Sequence, residues 1–210
     1  MKKIMTLKNI AIVLAGLSVL LIVAFKKNII INNTNAPKVY KNVKGEIVDK
    51  IAIISTKQGS ISIRLRPDLA PRHVDSFIKL SEKGFYNGTT FHRVIPGFMI
   101  QGGDPTSKDQ KNRMSHGTGG PGYNIPAEFS TTSHKRGILS MARSNDPDSA
   151  GSQFFIVVKD SPFLDGQYTV FGEVIEGMDI ADKIVAVARD SRDNPIEPVE
   201  MMIQIQDRAK

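Results

Sequence analysis

The sequence predicts a mostly β protein, an antiparallel barrel or sandwich that carries two helices. Two observations lead there. Short β-rich runs recur from residue 51 to residue 205, separated by Gly, Pro, Asn and Ser. Only two stretches place apolar residues at helical spacing, so strands outnumber helices, the mark of an all-β layer rather than an alternating α/β one.

Length and composition set the frame. A chain of 210 residues accommodates one domain of ordinary size plus a tail, with room for a packed core. Hydrophobic residues at 40% and charged residues at 23% are the proportions of a soluble globular protein. The formal net charge of +7 is unevenly spread. Lys2, Lys3, Lys8, Lys26 and Lys27 precede Glu46, the first acid, and without them 23 basic residues face 21 acidic ones, a net of +2. The body is near neutral and shows no basic stripe interleaved with aromatics, which argues against a nucleic-acid partner. The absence of cysteine rules out disulfides, a thiolate nucleophile and a Cys-ligated metal.

Residues 10–25 are sixteen positions without charge, of which only Gly16 and Ser18 are not hydrophobic, and lysines flank them on both sides. As a helix at ~1.5 Å per residue the run spans ~24 Å, short of a ~30 Å hydrocarbon core. Cleavage signals are poor, since 22–24 reads Ile-Val-Ala and Ala36 is followed by Pro37. The expectation is a signal-anchor or transmembrane segment over residues 1–27, favoured over a cleaved signal peptide. Three lysines before the run and two after it favour a cytoplasmic N-terminus, a single membrane pass and an extracytoplasmic body. Cleavage would leave a secreted or periplasmic protein instead. Residues 28–47, polar and rich in asparagine, read as a tether, and residues 48–210 as the folded domain.

The domain opens with strands at 51–55 and 60–65, joined at Lys57-Gln58-Gly59, a hairpin signal. Within 67–84 a helix begins at Ala70-Pro71, sets Val74, Phe77, Ile78 and Ser81 on one face, and closes at Gly84. His73, near its start, is expected on the surface. Strands at 91–95 and 98–101 follow, turning at Pro96-Gly97, because Pro fixes φ at the second turn position and Gly accepts positive φ at the third. Alternation puts Phe91, Arg93 and Ile95 on one face and groups Met99 with Gln101. A charged arginine among Phe and Met is costly unless it has a partner or a purpose. Four more strands are expected at 138–142, 154–158, 170–174 and 201–205, with a second helix at 178–185.

Several chemistries find no support. Gly117-Thr-Gly-Gly-Pro-Gly122 formally fits the dinucleotide fingerprint, but the Tyr-Asn-Ile-Pro that follows does not open a helix and no strand–helix–strand unit surrounds it. The histidines at 73, 92, 116 and 134 lack zinc-ligand spacing, and Asp146 and Asp148 lack the calcium-loop pattern. No Gly-x-Ser-x-Gly elbow marks a hydrolase. No cofactor is expected.

Two long stretches carry the specific signal. Residues 91–105 read FHRVIPGFMIQGGDP, and residues 137–158 read GILSMARSNDPDSAGSQFFIVV, with SPFLDGQYTVFGEV at 161–174. With GTGGPGY between them, this ordered wording closely resembles the cyclophilin family of peptidyl-prolyl cis-trans isomerases, from about residue 51 to residue 205. The resemblance sharpens the fold to an eight-stranded antiparallel barrel capped by a helix at each end. It implies a monomer that binds proline-containing segments of client proteins and assists their folding.

Carried over by motif, Arg93, Phe98 and Gln101 form the catalytic set. The resemblance assigns substrate binding to His92, Met99, Ala142, Arg143, Gln153, Phe155, Phe163, Leu164 and Tyr168, with contacts at Ala142 and Arg143 made through the main chain. It also sets the Gly-rich turn at 117–122 beside the substrate groove. Three positions depart from well-known eukaryotic members. Arg143 stands where they carry Asn, Phe163 replaces a Trp associated with cyclosporin binding, and Tyr168 replaces a His. The rival reading is a catalytically idle, membrane-tethered peptide-binding module, whose mark would be loss of Arg93 or of the Phe-Met-Gln set. Neither is lost.

Overall fold

The computed structural model describes residues 40–41 and 47–209. The expected anchor at 1–27 and all of the expected tether except residues 40, 41 and 47 lie outside the described residues. Ten strands are present among those described: β1 Tyr40–Lys41, β2 Ile47–Thr56, β3 Gly59–Leu65, β4 Thr89–Thr90, β5 Arg93–Ile95, β6 Met99–Gly102, β7 Ile138–Met141, β8 Phe154–Val157, β9 Val170–Glu176 and β10 Glu200–Ala209. Two α-helices accompany them, α1 Pro71–Glu82 and α2 Met178–Val185.

Nine strands follow one antiparallel path, β4-β10-β2-β3-β9-β7-β8-β6-β5, and β1 pairs with β2 off that path. The two ends of the path, β4 and β5, are separated in the chain by Phe91 and His92 alone. The sheet must therefore curl until its first and last strands sit on one short segment, which gives a barrel-like wall. The expected count of eight strands is corrected: β1 and β4 are two residues each, too short to show an alternation in the sequence. The strand β10 also runs to Ala209, pairing with β2 as far as Val48, where Lys50 faces Asp207 across the pair at 2.5 Å. Charged residues hide such a strand end from a hydrophobic pattern.

Local signals place the turns and helices. The Lys57-Gln58 turn joins β2 to β3, with Thr56 opposite Gly59. The amide of Phe98 donates to the carbonyl of Ile95 at 3.0 Å, and Gly97 between them has φ +74°, so Pro96-Gly97 makes the turn that Pro then Gly predicts. Pro71 occupies the first turn of α1, and Gly84 follows its end with φ +69°. The buried face of α1 includes Val74, Phe77, Ile78 and Ser81 and packs on β9 and β10. In the core Phe77 meets Phe154 and Phe171 edge-on at ring separations of 5.6 and 5.3 Å. Truncating such a ring to alanine costs about 3–5 kcal/mol.

Two expectations about side-chain placement are overturned. His73 is fully buried, its Nδ1 donating to Oε2 of Glu128 at 2.6 Å. Glu128 also accepts the amides of Arg72 and His73, so a distant carboxylate caps the α1 N-terminus and draws the histidine inward. Phe91 does not share a face with Arg93, because the strand begins only at Arg93; Phe91 turns into the main core, while Ile95 packs on a second cluster.

That second cluster explains the unbroken Phe-Phe-Ile-Val run of β8. Phe154 and Ile156 enter the main core with Ile100 and Leu139. Phe155 and Val157, on the other face, join Met99 and Leu164. Both faces of β8 are buried, so its sequence is continuous rather than alternating. The second face is where the site forms.

Candidate active site

Strand register builds one row across four strands. Arg93 pairs with Gln101, Gln101 with Phe155, and Phe155 with Ser140. Directly paired residues point to the same face, so a cation, an amide, an aromatic ring and a hydroxyl stand side by side on the outer wall. The neighbouring pairs Ile95–Met99 and Met99–Val157 are apolar and floor a pocket beside the row.

Arg93 is exposed, and its Nη1 donates to Oε1 of Gln101 at 3.3 Å. Gln101 Nε2 donates to Oε1 of Gln153 at 3.0 Å. Gln153 Nε2 in turn donates to the carbonyls of Gly117 and Gly119 at 3.0 and 2.9 Å. A relay thus runs from the guanidinium to the Gly-rich turn. Buried Asp104 fixes that turn: it accepts from the amide and hydroxyl of Thr106 at 2.8 and 2.7 Å and from the amide of Gly117. Among the described residues Arg93 has no carboxylate partner. The arginine is held by an amide without being neutralised.

The apolar pocket is a cavity of about 400 Å³. It brings together ten of the twelve residues named from the sequence: Arg93, Phe98, Met99, Gln101, Ala142, Arg143, Phe155, Phe163, Leu164 and Tyr168. Phe98 and Phe163 form one rim, 5.4 Å apart, with Phe163 63% exposed. Phe155 and Tyr168 meet edge-on at 5.7 Å, and the Arg143 guanidinium lies 4.7 Å over the Tyr168 ring. Gln153 lines an adjoining cleft of about 710 Å³ between the Gly-rich turn and residues 142–153, which shares Gln101, Ala142 and Arg143 with the pocket.

His92 lies apart from both. It is buried, neither ring nitrogen has a hydrogen-bond partner among the described residues, and burial pushes its pKa down to about 4 against a weaker upward pull from Asp104. The imidazole is therefore neutral near pH 7 and adds no charge beside the guanidinium.

Sequence reasoning missed Gln167 and His134. Gln167 lines the pocket, and its carbonyl accepts from Nε of Arg143 at 3.0 Å. His134 is fully buried and stacks on Phe155, the rings 6.3 Å apart and 18° from parallel. Its Nδ1 donates to Asp165 at 2.9 Å, its Nε2 meets Ser140 Oγ at 3.1 Å, and its carbonyl accepts the amide of Ser161 at 2.8 Å. Amide and ring bonds from His134, with Ser133, hold the Asp165 carboxyl below its usual range. The order Asp165–His134–Ser140 has the form of a hydrolase triad, but Ser140 is fully buried and its hydroxyl donates to the Thr169 carbonyl at 2.9 Å. The relay clasps segment 161–169 against the pocket floor. Only spatial proximity reveals it.

A curved antiparallel wall with an unneutralised arginine beside an apolar pocket on its outer face is the architecture of a cyclophilin-like domain. Comparison with known proteins agrees. Residues 51–204 match the family described as cyclophilin type peptidyl-prolyl cis-trans isomerase/CLD. A probable peptidyl-prolyl cis-trans isomerase of Brucella suis is 51% identical over 140 residues, 65% of this chain and 71% of that protein. A peptidyl-prolyl cis-trans isomerase of Synechococcus elongatus is 44% identical over 144 residues, 65% of this chain and 93% of its own length. The crystal structure of a Cryptosporidium parvum cyclophilin type isomerase in the presence of the dipeptide Ala-Pro superposes with a TM-score of 0.69 at 33% identity, covering 75% of this chain and 99% of that one. The chain belongs to the cyclophilin-type peptidyl-prolyl cis-trans isomerases.

Proposed function

We propose that the groove performs the isomerisation through Arg93, with the neighbouring pocket holding the proline ring of a client segment. One observation carries this assignment: a strand arginine without a carboxylate partner among the described residues lines a pocket floored by the apolar side chains of Met99, Phe155 and Leu164. The barrier to rotation about the X-Pro bond is ~18–20 kcal/mol, because twisting breaks amide resonance. A site lowers it by preferring the twisted amide to either planar form. As the bond twists, the prolyl nitrogen gains a lone pair, which a guanidinium N–H can meet and which the planar amide does not offer. Phe98, Met99, Phe155, Phe163 and Leu164 would keep the ring dry, and Gln101 and Gln153 would hold the flanking peptide groups. The dipeptide used with the Cryptosporidium relative suits a pocket for this ring. The idle-module reading is not favoured, because Arg93, Phe98, Met99 and Gln101 are all in place around one cavity. A protease-coupled assay of the purified chain on a short X-Pro peptide tests the proposal. Faster cis-to-trans exchange that disappears in Arg93→Ala is expected; exchange unchanged in that variant contradicts the assignment.

We further propose that residues 1–27 anchor a monomeric protein in a membrane, with the domain extracytoplasmic on a tether of residues 28–47. The lysine-flanked apolar run at 10–25 supports it. No helix among the described residues is long and apolar enough to cross a membrane. Mass spectrometry of the mature chain decides: a new N-terminus between residues 24 and 40 contradicts anchoring.

A further inference from the structure

A third cavity, of about 320 Å³, shares Arg93 and Gln101 with the proline pocket. Its polar lining comes from the guanidinium groups of Arg93 and Arg192, the imidazoles of His92 and His116, and the amides of Gln101 and Asn194. Among the described residues no carboxylate lines it. Six of the ten arginines have an acidic partner among the described residues: Arg64, Arg66, Arg72, Arg113, Arg136 and Arg189. Of the four without one, Arg93, Arg143 and Arg192 line the groove or this cavity. Among the guanidinium groups, unneutralised charge is concentrated where a client segment would lie.

Arg192 is fixed in place without being neutralised. Its guanidinium donates to the carbonyl of Arg113 at 3.3 Å, to the carbonyl of Met114 at 3.4 Å and to the Met114 sulfur at 3.2 Å. The acids nearest in the chain are committed elsewhere. Asp190 takes Arg113 at 3.2 Å and the amides of Arg192 and Asn194, and Asp193 takes Arg189 at 3.1 Å. His116 is likewise spent, its Nε2 donating to the Asp109 carbonyl and its Nδ1 accepting from Asn194.

We propose that this cavity receives a carboxylate side chain of the client between Arg93 and Arg192, so that the enzyme selects X-Pro bonds with an acidic residue close by in the chain. The inference rests on the reading of the groove as the isomerase site. A guanidinium has five N–H donors, enough for Arg93 to meet a carboxylate on one edge and the prolyl nitrogen on another. An acidic client would also be drawn to the groove at long range, an effect that salt weakens.

The test uses the full chain and short peptides with one X-Pro bond, neutral except for a Glu or a Gln scanned along the positions flanking it. Binding is read by fluorescence anisotropy and turnover by the isomerase assay. At one position the Glu peptide should bind about 5-fold tighter than its Gln partner at low salt, the upper end for an exposed ion pair. In Arg192→Gln that ratio should fall below about 2-fold, while affinity and turnover for the Gln peptide stay as in the unmodified protein. A ratio near one at every position, a preference that survives Arg192→Gln, or one that is indifferent to molar salt would overturn the proposal. Should Arg192→Gln fold poorly, the salt series on the unmodified protein still decides. Peptides that bind with the Glu preference but are never isomerised would leave this inference standing and sink the isomerase reading instead.

Discussion

Arg93 and Gln101 stand directly opposite one another in the β5–β6 hairpin, and the guanidinium of one donates to the side-chain carbonyl of the other at 3.3 Å. The acceptor is an amide, which orients the arginine and leaves its charge unspent. A carboxylate in the same place would do the opposite. Gln101→Glu should lower kcat/KM about 5- to 10-fold by tying Arg93 into an ion pair, and leave Tm unchanged or slightly raised. Paired turnover and melting measurements check this, and a fall in both would mean that Gln101 is scaffolding.

Two buried groups should make the protein labile to acid. The pKa of His92 is lowered in the fold to about 4 from an ordinary 6.5, so below pH 6.5 the unfolded chain takes up a proton that the native state refuses. Stability should fall progressively between pH 6.5 and about 4, by up to about 3 kcal/mol from this residue. Glu128 adds to the loss further down. Burial raises its pKa, but bonds from the His73 ring and from the amides of His73 and Arg72 outweigh burial and hold it below the usual carboxylate range. Its contribution is present above the unfolded value and is lost as pH falls through the folded one. Urea titrations at stepped pH measure the slope. His92→Gln should flatten it between pH 6.5 and 4, and an unchanged slope would show that His92 is not the group responsible.

His134 should matter for turnover although it lies beneath the pocket lining. It ties the Phe155 ring, Ser140 and segment 161–165 together. His134→Leu keeps most of the volume and breaks the hydrogen bonds, at a cost of about 2–4 kcal/mol in stability. With Leu164 and Tyr168 less well placed, kcat/KM per folded molecule should fall by up to about 10²-fold, with KM raised. Normal kinetics in the folded fraction would confine His134 to a role in stability.

Much of this fold is legible in the sequence. Pro96-Gly97, Pro71 and Gly84 mark their turns because they act on their own backbone dihedrals. The continuous Phe-Phe-Ile-Val of β8 is the trace of a strand with two buried faces, and one of those faces is the pocket. What stayed hidden depends on partners far off in sequence. His73 finds Glu128 across 55 positions and His134 finds Asp165 across 31, and neither pairing leaves a local period. Arg192 reads as one more surface charge until the acids beside it prove to be committed to Arg113 and Arg189. Phe91 departs from the alternation for a related reason: alternation holds only as far as the strand does, and β5 starts two residues later.

The measurement that tests the central claim most directly is Arg93→Lys, assayed for turnover, peptide affinity and Tm together. Lysine keeps the charge and loses the planar fork that can meet Gln101 and still direct an N–H at the prolyl nitrogen. The lost interaction belongs to the twisted amide, so kcat/KM should fall roughly 10²–10³-fold, about 2.7–4 kcal/mol, by analogy with removing one preorganised donor. Affinity for the planar peptide should change little, and Tm should barely move, because no described carboxylate is left unpaired. A large fall in Tm with near-normal turnover per folded molecule would contradict the account and make Arg93 part of the scaffold.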